Sequence, residues 1–392
     1  MTPRRALFWL HLAAGSVAGI VILIMSVTGV LLAYERQITN WANRDYRSRP
    51  GVAGQARLSM DDLLEKVGAS ALMAPSAVVV RSDPAAPVQL SFGRERTLFV
   101  NAYSGAVLGE AAPGLHAFFS KVEDVHRYLG TSAGGRPAGR AVTGACNLAF
   151  LLLVASGPLL WWPKDWDWKN LRKIILFGGD LSGRARDWNW HNVIGVWCFM
   201  PLLLVVLSGV VMSYPWANNL LYRMTGNEPP PPPNQAVGRP GREANPGRPQ
   251  RLEPGDGAAK PVLEPAFARA EQQVSGWQSV TLRLSSSGDA PLVFAIDTSH
   301  GGRPDTRAQL TLDPESGQVL RWEQFSSYNL GRRLRTWGRF MHTGEAGGVF
   351  GQTIAATASA GAAVLVWTGL ALALRRCNRW RKRFRPQVVE RG

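Results

Sequence analysis

Four apolar stretches, Leu7–Tyr34, Ala141–Trp162, Val193–Tyr214 and Ile354–Leu374, set the terms for any fold this chain can adopt. At about 1.5 Å per helical residue, each can cross a hydrocarbon core about 30 Å thick. Buried helices of a soluble core seldom run so long without a charge, so the stretches are expected to be transmembrane helices. The spans then occupy residues 1–34, 141–162, 190–214 and 351–375. Between and after them lie two soluble segments (35–140 and 261–350), a short loop (163–189), a linker (215–260) and a basic tail (376–392).

A net charge of +16 over 392 residues invites a nucleic-acid reading, and the placement of the charge argues against it. Arg4 and Arg5 precede the first span. Lys164, Lys169, Arg172, Lys173, Arg184 and Arg186 lie between the second and third. Arg375, Arg376, Arg379, Arg381, Lys382, Arg383 and Arg385 follow the fourth. Short basic segments beside spans stay in the cytoplasm. The expectation is a multi-pass protein of a bacterial inner membrane, in contact with lipid. Both termini are then cytoplasmic and both soluble segments periplasmic. No nucleic-acid-binding motif is present. The first span is too long for a signal-peptide core and lacks a small-residue cleavage site, so it reads as a retained anchor. Trp161, Trp162, Trp166, Trp168, Trp188 and Trp190 crowd the basic ends of two spans, as an interfacial aromatic belt does. Cys146, Cys198 and Cys377 form neither C-x-x-C nor C-x-x-C-H, which removes a disulfide framework and covalent c-type haem.

The chain repeats itself. His11 is followed by Gly15, Thr28-Gly29 and Tyr34, and His191 at the same distances by Gly195, Ser208-Gly209 and Tyr214. The second span ends Ser156-Gly157, the fourth Thr368-Gly369, and each is preceded by a histidine, His126 or His342. In the soluble segments, Leu98–Leu108 aligns without a gap to Leu310–Leu320, each reading strand, Gly-bearing turn, strand. Helices are expected at Met60–Val67 and Pro265–Val274, with short strands such as Ala77–Arg81 and Ser279–Leu284. The fold class is therefore a four-helix membrane protein carrying two small periplasmic α+β domains, built as a tandem repeat. Glu228–Asn234 with its proline run opens the linker, as a stiff polyproline spacer.

Four histidines recur in that repeat. His11 and His191 fall near the cytoplasmic ends of two spans, and His126 and His342 at the periplasmic edge before the other two. Two opposed imidazoles from facing helices can hold a haem iron on both axial positions. A zinc site would need a third or fourth ligand, and none stands near either pair in sequence. A lone histidine at a helix end reads equally well as an interfacial group. Recurrence on all four helices favours ligation, with two b-type haems as the cofactors. His116 and His300 lack repeat partners and are read as surface residues. The four Ser/Thr-Gly pairs are read as close-packing positions.

At these residues the chain resembles the PepSY-associated transmembrane family. The resemblance rests on His11 to Gly29, Val125-His126-Arg-Tyr-Leu, Trp190-His191-Asn-Val-Ile-Gly195 and Met341-His342-Thr-Gly, with Ser-Gly hairpins like the end of a PepSY domain. It implies an inner-membrane protein of iron uptake, a di-haem oxidoreductase reducing ferric siderophores, with His11, His126, His191 and His342 as axial ligands. Some relatives carry a fused reductase module. No segment here reads as one, so electrons are expected from a separate cytoplasmic reductase or a membrane quinol.

Arg332, Arg333, Arg335 and Arg339 precede His342, and Arg127 follows His126. Two roles suit them: pairing with haem propionates or lipid phosphates, or a basic floor that draws in an anionic ferric chelate. Two other classes of function stay open. One is a membrane-anchored PepSY module that binds or regulates a partner without catalysis. The other is a permease, which four spans without an intramembrane carboxylate make the weakest reading.

Overall fold

The first apolar stretch becomes helix α1 (Pro3–Leu32), entered through a proline in its first turn, where the missing N–H leaves no bond unmade. Next come α2 (Glu35–Ala42), α3 (Met60–Gly68) and strands β1 (Ala77–Arg81), β2 (Val88–Phe92), β3 (Arg96–Val100) and β4 (Val107–Glu110). Helix α4 (Pro113–Tyr128) leads to α5 (Arg136–Trp161), then to α6 (Trp168–Ile175) and α7 (Gly183–Ser213). The second half repeats the plan. It runs α8 (Pro215–Met224), α9 (Leu263–Gln273), β5 (Ser279–Arg283), β6 (Leu292–Asp297), β7 (Arg307–Leu312), β8 (Val319–Gln324), α10 (Leu330–His342) and α11 (Gly348–Arg383). This computed structural model describes residues 2–68, 74–93, 96–163, 166–230, 263–285 and 290–383. The proline-rich linker from residue 231 and the end of the basic tail lie outside the described residues.

Among the described residues, four helical segments are long and apolar enough to cross a membrane, matching the four expected spans. Their ends run further than the apolar stretches. Helix α7 starts at Gly183 and α11 continues to Arg383, because the flanking Arg- and Trp-rich sequences contain no helix breaker. Part of the expected linker is also helical: Pro215 opens α8 at a position that suits proline.

The described residues of Met1–Tyr34, Ser120–Leu221 and Trp337–Gly392 form the membrane unit. In it α1 and α7 each pack against both α5 and α11, so α1 and α7 stand across the bundle from one another. Small residues set the packing distance. A Cβ on Gly361 would lie 2.6 Å from the Cys198 sulfur, and one on Gly144 3.1 Å from the Tyr214 hydroxyl.

The described residues of Glu35–Phe119 and Tyr222–Thr336 form the second unit. Its eight strands make one antiparallel sheet, ordered β4-β3-β2-β1-β5-β6-β7-β8. Two separate small domains would each leave a strand edge unpaired. Instead β1 and β5 zip together from Ala77↔Arg283 to Arg81↔Ser279, closing both edges at once. Each half keeps its own hairpin, with Gly105 and Gly317 at positive φ in the two turns. The ladder is irregular at equivalent places, Phe99/Val100 and Thr311/Leu312. Val78, Leu90, Val280, Leu282, Phe294 and Leu310 are fully buried and pack with Leu63 of α3 and Phe267 of α9. The two helices cap each other. Asp61 accepts from the Leu263 and Glu264 N–H groups, and Glu264 accepts from Met60 N–H.

Candidate functional site

All four repeated histidines belong to the membrane unit, and it gathers them into two facing pairs. The His11 and His191 ring centroids are 6.4 Å apart at an interplanar angle of 78°. Those of His126 and His342 are 6.4 Å apart at 68°. Along α1, His11 and the Thr28 that contacts His126 are separated by about 26 Å of helix rise, so the pairs sit at opposite ends of the bundle.

The backbone explains how the second pair reaches the bundle. His126 and His342 are on α4 and α10, the short helices before the spans, and not on the spans themselves. Leu129 and Gly130 both have positive φ, which ends α4 and turns the chain into α5. Gly139 then lets the two helices meet, because a Cβ there would lie 2.2 Å from the Tyr128 carbonyl oxygen. The Thr143 hydroxyl donates to the Arg127 carbonyl at 3.0 Å, and Arg136 pairs with Asp124 at 3.2 Å. Gly344, left-handed at φ 74°, plays the corresponding part between α10 and α11.

Each histidine is oriented by a hydroxyl from a neighbouring helix. His11 Nδ1 is 2.7 Å from the Ser156 hydroxyl, His126 Nδ1 2.9 Å from that of Thr28, and His191 Nδ1 3.0 Å from that of Thr368. His342 Nδ1 is 3.3 Å from the Ser208 hydroxyl and 2.8 Å from the Val205 carbonyl oxygen. Each hydroxyl is also within hydrogen-bond distance of a carbonyl of its own helix, at Ile24, Leu153, Leu204 or Val364. A hydroxyl that donates to its helix meets the imidazole with a lone pair, and Nδ1 then carries the proton and donates. A carbonyl beside His342 imposes the same tautomer. In that tautomer Nε2 is bare, as a metal ligand requires.

The glycine after each hydroxyl residue makes room for the ring. A Cβ on Gly209 would lie 3.4 Å from His342 Cε1, on Gly369 3.4 Å from His191 Cε1, and on Gly29 3.6 Å from His126 Cε1. At Gly157 a Cβ would meet nothing within 4 Å. The Ser/Thr-Gly pairs are therefore more than packing positions. They form the outer shell of the histidine sites, and sequence reading missed this although the pairs recur at fixed offsets.

The spacing suits one iron between each pair. An imidazole nitrogen binds a first-row metal at about 2.0 Å, and the ring centre lies about 1.1 Å beyond it. Two such rings across one metal are thus about 6.2 Å apart, centroid to centroid. Among the described residues no three or more His, Cys, Asp or Glu converge as a metal cage. His116 and His300 belong to neither pair.

The arginines are differently employed. On α10, Arg332 bonds Glu323 at 2.8 Å and covers the Tyr328 ring, and Arg333 donates to the Ser326 carbonyl. Arg127 pairs with Glu123 at 2.6 Å. Arg335 and Arg339 are exposed, one turn apart on α10. Burial tends to raise the Glu323 carboxyl, but its bonds to Arg332 and Arg321 outweigh that and hold it below the ordinary carboxylate range.

The sequence profile of the PepSY-associated TM region matches residues 8–376. No curated protein matches the chain.

Proposed function

The chain belongs to the PepSY-associated TM region family, and on that footing we propose that it is an inner-membrane b-type haem protein that reduces a periplasmic ferric chelate, such as a ferric siderophore. The observation that carries this reading is the two facing histidine pairs, each with ring centroids 6.4 Å apart and each Nδ1 beside a hydroxyl of a neighbouring helix. Haem bound at both sites would supply one-electron chemistry at the two ends of the bundle, and so a route across the membrane.

The chain's own residues do the positioning. His11 and His191 serve the basic end, and His126 and His342 the other. Ser156, Thr368, Thr28 and Ser208 hold the four rings in the ligating tautomer. By the positive-inside rule, the basic end with Arg4, Arg375 and Arg376 faces the cytoplasm, where a reductase or quinol donates electrons. Arg335 and Arg339, on the approach to His342, attract the anionic chelate. Reduction then releases the substrate iron, because hard oxygen ligands hold ferric iron much more firmly than ferrous.

The test is direct. Protein reduced with dithionite, freed of excess reductant and mixed with a ferric siderophore should reoxidise as ferrous iron accumulates on a ferrous-specific chromophore. Protein that holds haem but fails to reoxidise on any ferric chelate would leave the alternative, a membrane-anchored PepSY binding module, in its place.

A further inference from the structure

A groove of about 310 Å³ opens between α7 and α11 at the basic end of the membrane unit. Its walls are apolar and aromatic, from Trp190, Trp367 and Ala363. Its inner end is polar. Asp187 is 2 % exposed and held by Arg186 at 3.1 Å and Arg375 at 2.9 Å, and Thr368 also lines the groove. Thr368 is the residue whose hydroxyl lies 3.0 Å from His191 Nδ1, so the groove ends one hydrogen bond from that imidazole.

The repeat supplies a control. At the same offsets from His11 and Ser156 stand Ala6, Leu7, Leu10, Leu151 and Ala155 in place of Arg186, Asp187, Trp190, Ala363 and Trp367. Both halves keep the histidine and its hydroxyl, but only one keeps the carboxylate, the arginine and the two indoles. Ligand orientation therefore does not need the groove. It is an addition to one side of one site.

We propose that this groove binds the head of a membrane hydroquinone, the electron donor of the His11/His191 site. This deepens the proposed function and rests on its haem reading for the redox step, though not for the binding. A hydroquinone has a flat ring for the indoles and two hydroxyls for a carboxylate and a threonine. Its isoprenoid tail needs a lateral opening to lipid, which a groove between two spans provides. The volume is that of a small-molecule site. The balance closes with water as proton acceptor. Each hydroquinone breaks two O–H bonds and becomes a quinone. Its two electrons leave one at a time to the centre held by His11 and His191, and its two protons pass to water at the Arg-rich end.

Binding and redox can be measured separately on the full-length detergent-solubilised protein. A short-tailed ubiquinone or menaquinone analogue should saturably quench tryptophan fluorescence, in the native chain and equally in a His11→Ala/His191→Ala double variant. Trp367→Ala and Ala363→Phe, the latter filling the groove, should each weaken that binding about tenfold, the size of one lost polar or aromatic contact. Both should slow reduction of bound haem by the hydroquinone to a similar degree, with the dithionite-reduced spectrum unchanged. Native affinity in both groove variants overturns the proposal, as does loss of the His11/His191 chromophore in them, which would make the groove part of the haem cradle. Displacement of the quinone analogue by anionic phospholipid at equal concentration overturns it too. If the native protein carries no haem, the functional reading fails, while the binding arm still decides the groove.

Discussion

Ser156, Thr28, Thr368 and Ser208 each serve two partners with one oxygen, a carbonyl of their own helix and a histidine. That double role makes them replaceable only by another hydroxyl. Under the proposed function, Ser156→Ala or Thr368→Val leaves a histidine free to adopt the wrong tautomer. Haem affinity at the His11/His191 site should fall about 10–100-fold, with Ser156→Thr restoring it, measured by haem retention on dilution. The glycines grade differently. Gly157→Ala should be tolerated. Gly209→Ala puts a methyl 2.9 Å from the Asn147 amide and 3.4 Å from His342, and should selectively weaken the His126/His342 site. His11 and His191 were legible in the sequence because they recur with glycines at fixed offsets, whereas His126 and His342 precede the Ser/Thr-Gly pairs of their spans at spacings that differ by four residues. The hydroxyls were visible at the same offsets, but their role depends on a cross-helix contact 98 to 177 positions away in the chain. No local pattern encodes that.

Among the elements, the four spans were legible because hydrocarbon thickness imposes a length no soluble helix needs. The strands and hairpins of Leu98–Leu108 and Leu310–Leu320 were legible as well, since turn glycines and alternation are local. Pairing of β1 with β5 was not, because it joins strands about two hundred residues apart whose only shared property is an edge to close. That seam rests on the core beneath it. Leu63→Ala on α3 should destabilise the sheet unit by about 2–5 kcal/mol in thermal unfolding of the full chain, through the cavity it opens. Burial is nearly complete there. Acid should act through the last strand. Glu323 is held below its ordinary range by Arg332 and Arg321, so its contribution is present above the usual carboxylate pKa of about 4.3 and lost as pH falls through the lowered value. Glu323→Gln should flatten the acid limb of the thermal midpoint; an unchanged limb would mean the carboxylate is not the group titrating. The α4–α5 corner carries a further expectation. The methyl of Gly139→Ala would overlap the Tyr128 carbonyl oxygen, so α4 must shift and His126 with it.

At the scale of the whole chain, two histidine pairs at opposite ends of one bundle divide any cofactor loss into two groups. His11→Ala and His191→Ala should remove the same chromophore, and His126→Ala and His342→Ala the other. Loss grouped as His11 with His126 would contradict the pairing found here. The charge pattern works at this scale too, and Arg335→Gln/Arg339→Gln should slow chelate reduction at low salt, the difference fading as ionic strength rises. The central claim, that the facing histidines hold haem, is tested most directly by the absorption spectrum and extractable haem content of the protein purified after expression with ample haem. The account predicts a b-type spectrum, a Soret band with reduced α and β bands, and about two acid-extractable haems per chain. A colourless protein, with no Soret band at any haem supply, would contradict it.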